Sequence, residues 1–96
     1  SDGAFIQVRK MRIDEDQIAE FWRASSATLG DDLLSDQVLD REASFDRIRT
    51  FTISGTPKAE RYVRKGDTTW LIRWVGWNHE SHPDYVNEML ESFEVR

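Results

Sequence analysis

The segment from Thr68 to Trp77 carries large apolar side chains on both of its alternating faces, and this limits the folds open to the chain more than any other feature. Trp70, Ile72 and Trp74 fall on one face of an extended segment; Leu71, Val75 and Trp77 fall on the other, together with Arg73. Side chains of a strand alternate between two faces. Such a strand is either a central one covered on both sides, or one with a side left for a partner. Before it, Lys65-Gly66-Asp67 reads as a tight hairpin turn and Ala59 to Arg64 as the partner strand.

Cover for such a sheet is available from two amphipathic segments. Asp14 has the chemistry of an N-cap, Gln17 stands at the capping-box position, and Glu15 and Asp16 suit the positive end of a helix dipole. Ile18, Phe21, Trp22, Ser25 and Leu29 follow at helical spacing, and Gly30 can end the helix at C′. The Phe21-Trp22 pair is the expected anchor onto the sheet. A second helix is expected from Pro83, at the first helical position with Ser81 or His82 as N-cap, to about Ser92. Its apolar stripe is Val86, Met89, Leu90 and Phe93.

Further strands are expected over Phe5–Ile13, over Gln37–Glu42 and over Phe45–Ser54, with a turn near Ala43-Ser44 and another at Gly55-Thr56-Pro57. Asp31 to Asp36 reads as an acidic connection, and residues 93–95 as a short edge strand. The pattern amounts to one α+β domain over residues 1–96, an antiparallel sheet of about five to six strands packed by two amphipathic helices.

Composition excludes several function classes. Of the 96 residues, 39% are hydrophobic and 32% charged, a globular balance, and the formal net charge is −5. An acidic chain lacks the cationic footprint of nonspecific nucleic-acid binding and is repelled by anionic membrane surfaces. No run is long and apolar enough for membrane insertion. With no Cys there is neither a disulfide framework nor thiolate chemistry, which fits a soluble protein of cytoplasm or periplasm alike. The opening Ser1-Asp2-Gly3 has no initiating Met and is no signal peptide, as expected of a chain from which a targeting segment has been removed.

The wording of the second half resembles the PsbP-like fold. The residues that carry the resemblance are Arg61-Tyr62-Val63-Arg64, then Gly66-Asp67-Thr68-Thr69-Trp70-Leu71-Ile72, then the segment from Pro83 to Leu90 leading into Ser92-Phe93-Glu94-Val95. This fold is shared by the extrinsic PsbP proteins of photosystem II, a Ran-binding nuclear-import factor and many bacterial proteins of unknown role. The resemblance spans most of residues 4–95. It implies a non-enzymatic accessory or binding protein. Members usually carry a further N-terminal hairpin with a Pro-Trp segment; its absence here implies a minimal or N-terminally trimmed version.

Candidate chemistry is sparse. No Gly-x-Ser-x-Gly elbow frames a nucleophile and no Gly-rich loop could cradle phosphate, so no catalytic residue is assigned and no cofactor is expected. His79-Glu80-Ser81-His82 is the one cluster with metal-ligand chemistry, the basis for a metal-binding or metal-dependent hydrolase alternative. Its spacing is one residue short of the helical His-Glu-x-x-His motif, and the plainer reading is a helix cap and a solvated ring. Trp70 and Trp74 are expected in the core, and Trp77, beside a loop, as an exposed contact. Arg47, Arg49, Arg61, Arg64, Lys65 and Arg73 could form a basic strip for an acidic partner, or could pair with the chain's own carboxylates. The expected partner is another protein, met through Trp77, His79, His82 and Arg73. Self-association is the alternative, with strands such as Phe5–Ile13 pairing between chains as in a homo-oligomer.

Overall fold

A computed structural model describes residues 3–94. Strand β1 (Ala4–Met11) leads into helix α1 (Glu15–Leu29), and a 3₁₀ turn (Gly30–Asp32) passes the chain to β2 (Leu33–Val38). Three longer strands follow, β3 (Phe45–Ile53), β4 (Thr56–Lys65) and β5 (Thr68–Gly76), and then the short helix α2 (Val86–Glu91). The strands form one antiparallel sheet in the order β1-β5-β4-β3-β2. The expected α+β domain, an antiparallel sheet with two helices, is therefore met with five strands among the described residues, the lower of the five to six expected. Phe93 and Glu94 are not in a strand, and Val95 lies outside the described residues.

Strand β5 is internal, between β1 and β4, as its two apolar faces require. On one face, Ile48, Ala59, Val63, Ile72 and Trp74 pack with Val86 and Leu90 of α2. On the other, Phe45, Tyr62 and Leu71 pack with Ile18 and Trp22 of α1. Each helix covers one face of the sheet.

Helix α1 starts after Asp14, whose backbone N–H donates to Oε1 of Gln17 at 3.4 Å, the reciprocal half of a capping box. Gly30 ends it with φ 56°, a backbone that favours glycine. Trp22 is the anchor, 2% exposed, whereas Phe21 is 44% exposed. Successive helical residues are about 100° apart, so the line through Ile18 and Trp22 turns Phe21 toward the helix flank. From there its ring stacks on Tyr62, with centroids 6.0 Å apart.

Two further elements differ from expectation. The strand expected over Gln37–Glu42 lies instead at Leu33–Val38, where the acidic connection had been placed. The 3₁₀ turn after Gly30 brings the chain directly alongside β3, pairing Leu33 with Phe51 and Val38 with Arg47. Beyond Val38 the pairing ends in a loop, closed by the Leu39 N–H donating to the Asp46 carbonyl at 2.9 Å. Helix α2 starts at Val86 with Tyr85 as N-cap, rather than at Pro83 behind Ser81 or His82. The reason is tertiary: the His82 ring is hydrogen-bonded to the Lys58 carbonyl on β4, which holds that stretch as a loop.

Candidate functional site

Trp77 is the first residue beyond β5 and is 71% exposed, the most exposed large apolar side chain among the described residues. It lies at the corner where β1 begins, since Ala4 pairs with Gly76 and Phe5 with Val75. Strand β1 is an edge of the sheet and leaves Phe5 (51%) and Val8 (49%) half exposed. Tyr85, just before α2, is also exposed, and a cavity of about 210 Å³ lies among Ala4, Phe5, Ile6, Trp74, Tyr85 and Met89. An exposed indole next to an open strand edge is the combination that partner surfaces use.

His79 and His82 do come together, but around Trp74. Their ring centroids lie 5.7 and 6.0 Å from the Trp74 ring, and Trp74 is 1% exposed. A Cβ on Gly76 would stand 2.3 Å from Cη2 of the same indole, so the strand end is shaped to admit the ring. The loop after β5 thus closes the α2 side of the core. The carbonyl of Lys58 can only accept, so Nε2 of His82 is the donor and is occupied as a metal ligand. Among the described residues, no group of three or more His, Cys, Asp or Glu side chains is placed to hold a metal ion.

Arg73 falls on the other face of β5, as its neighbour Trp74 requires. The four residues singled out in the sequence therefore do not make one site: Trp77 is at the strand exit, the histidines lie over Trp74, and Arg73 faces the α1 side. There Arg73 belongs to a lateral row, Asp36–Arg49–Glu60–Arg73–Gln7, with one residue from each strand and charges alternating over its first four members. Arg49 Nε donates to Glu60 Oε1 at 2.9 Å, and its Nη1 donates to Ser25 Oγ at 3.0 Å and Ser26 Oγ at 2.6 Å. Arg73 Nε and Nη2 both donate to Glu60 Oε2, at 3.3 and 3.2 Å. Arg49 and Glu60 are buried, while a third of the Arg73 side chain is exposed.

Four of the five arginines expected in the basic strip thus pair with carboxylates of the chain itself. Arg47 donates to Asp36 at 2.8 Å, and Arg61 forms a two-pronged pair with Asp46, both bonds 2.8 Å. Arg61 and Arg49 also lie on opposite faces of the sheet, so the six basic residues form no continuous strip. Arg64 reaches the Ile13 carbonyl and Thr69 Oγ1, each at 2.9 Å.

Beside the charged row, between the C-terminal half of α1 and the sheet, lies a groove of about 260 Å³. Buried Glu60, Tyr62 and Phe51 line it from the sheet, Ser25 and Leu29 line it from the helix, and Lys58 and Arg73, both partly exposed, line it toward solvent. Burial, and second the nearby Glu60 charge, push the Tyr62 phenol above its usual range, with Arg49 and Arg73 opposing. Of these residues the sequence pointed to Arg73 as a candidate contact and to Arg49 only as part of the basic strip. The missing signal was the strand register, which alone places residues 36, 49, 60 and 73 side by side.

No protein-family model matches this chain, and no curated protein or solved structure matches it. Any functional reading therefore rests on the geometry.

Proposed function

We propose that the chain is a non-enzymatic accessory domain of the PsbP-like kind that binds another protein through the corner made by Trp77 and the open edge of β1. The observation that carries this reading is the 71% exposure of Trp77 at the end of β5 where β1, with its half-exposed Phe5, begins. Burying an indole and the apolar side chains around it is a large favourable contribution to binding. The outer edge of β1, an edge strand of the sheet among the described residues, can meanwhile accept an extended segment of the partner as a sixth strand. The order of strand, helix, four antiparallel strands and short helix supports the family resemblance.

Affinity capture from source cells tests the reading, with wild-type protein compared against Trp77→Ala and Leu34→Ser. Leu34 is 58% exposed on the opposite edge strand and serves as control. The expected result is a protein retained by wild type and by Leu34→Ser and lost with Trp77→Ala. Both side chains are exposed, so each variant should keep its stability within about 0.5 kcal/mol. Identical capture by wild type and Trp77→Ala would reject the corner as the binding surface. If the captured protein is a second copy of this chain, sedimentation velocity will show an oligomer that Trp77→Ala dissolves.

A further inference from the structure

We propose that the groove between α1 and the sheet binds a small monocarboxylate with an apolar body, its carboxylate held between Arg73 and Lys58. The inference goes beyond the protein-binding corner and is independent of it.

The charge balance of the groove is the first argument. Glu60 is the one carboxylate among its lining residues, against three cations, Arg49, Lys58 and Arg73, in a chain whose net charge is −5. The Arg49 charge is closed off: its guanidinium is occupied by Glu60, Ser25 and Ser26 and lies 4.2 Å from the Trp22 ring centroid. Arg73 uses two of its nitrogens on a single oxygen of Glu60, which leaves Nη1 for a ligand. Lys58 has no ion-pair partner among the described residues. Two cations at the open side therefore exceed what the chain's own carboxylate can neutralise.

Placement is the second argument. Lys58 pairs with Val75 and Glu60 with Arg73, so Lys58 and Arg73 are diagonal neighbours on one face of adjacent antiparallel strands. Side chains so placed are about 7–8 Å apart at their bases, within which two long cationic side chains can converge on one anion. Behind them Phe51, Tyr62 and Leu29 supply an apolar lining for the ligand body. The buried Glu60 carboxylate penalises a dianion more than a monoanion, which favours carboxylate over phosphate. The volume, about 260 Å³, lies just below the usual small-molecule range and suits a short aromatic or aliphatic acid.

Sodium 4-phenylbutanoate, its primary amide and inorganic phosphate serve as probes in amide chemical-shift titrations of the whole chain. The acid is expected to bind with a dissociation constant of about 1 mM or tighter, a free energy that one charge-assisted contact plus modest apolar burial supplies. Its shifts should centre on Ser25, Phe51, Lys58, Tyr62 and Arg73. Lys58→Gln and Arg73→Gln should each weaken it by about tenfold, as loss of one charge-assisted hydrogen bond does. Lys58→Gln removes no internal ion pair and keeps the test valid if Arg73→Gln is unstable. Equal binding by the amide would overturn the ionic part of the proposal. Equal binding by phosphate would overturn the ligand class, and no groove-centred shifts with the acid would overturn the site itself. None of these outcomes depends on Trp77, so the two proposals fail separately.

Discussion

The Arg49 guanidinium lies 4.2 Å from the centroid of the Trp22 ring while its Nε donates to Glu60 at 2.9 Å. One buried cation thus joins α1, β3 and β4. Its side chain is 4% exposed, so its charge is stabilised by the carboxylate, the indole face and two serine hydroxyls rather than by water.

Arg49→Met should therefore destabilise the fold strongly. Removing one member of a buried pair typically costs about 3–5 kcal/mol, and here Arg73 remains beside Glu60 to soften the loss, so about 3 kcal/mol is expected. Urea denaturation midpoints of Arg49→Met, Glu60→Leu and the double variant measure it. The double variant should lose less than the sum of the singles, and a loss below about 1 kcal/mol for Arg49→Met would contradict this role.

Gly76→Ala places a methyl group 2.3 Å from Cη2 and 2.7 Å from Cζ3 of Trp74. The indole is held between the sheet and the rings of His79 and His82 and has no free end to swing away. Overpacking of this kind costs about 1–3 kcal/mol. Near-ultraviolet circular dichroism should change along with the denaturation midpoint, because the ring itself has to move.

Arg61 fastens α2 to the sheet. It pairs with Asp46 and also donates through Nη1 to the carbonyls of Leu90 at 3.1 Å and Phe93 at 2.7 Å, at the C-terminal end of the helix. A six-residue helix has little stability of its own. In Arg61→Met, amide exchange over residues 86–92 should accelerate by at least about tenfold relative to α1, equivalent to 1.4 kcal/mol of local opening. Equal acceleration in both helices would mean global destabilisation instead.

The Tyr62 phenol is raised above its ordinary value of 10.0 mainly by burial. The folded chain then holds the phenolic proton more tightly than the unfolded chain. Its contribution to stability is complete below the unfolded pKa and is lost as pH rises from there through the folded value. The phenolate absorbance difference between wild type and Tyr62→Phe should show the Tyr62 proton leaving above the ordinary tyrosine range. Tyr62→Phe should flatten the loss of stability above pH 10.0.

Helix α1 was legible because its signals are local: a capping residue, a helical stripe and a terminal glycine act within a few residues of one another. The hairpin of β4 and β5 was legible for the same reason, since Gly66, with φ 62°, sits in the tight turn. Strand β2 was not. Its residues Leu33–Val38 are mixed in polarity and mostly exposed, and their extended form comes from pairing with β3. Likewise, Pro83 is a sound helix starter by propensity, yet the hydrogen bond from His82 to β4 delays the helix to Val86.

From the amino-acid order follow the elements with strong local signals, the two-faced character of β5 and an acidic chain without a catalytic motif. Long-range pairing set the rest. It aligned Asp36, Arg49, Glu60 and Arg73 from four strands into one row, and so converted most of the arginines of an apparent basic strip into internal ion pairs, with part of Arg73 left over. It also turned two candidate metal ligands into packing around Trp74 and left Trp77 in solvent. The physical reason is that a side chain's charge partner and exposure depend on sheet register and on which helix covers which face. Both are fixed by contacts between residues far apart in the chain.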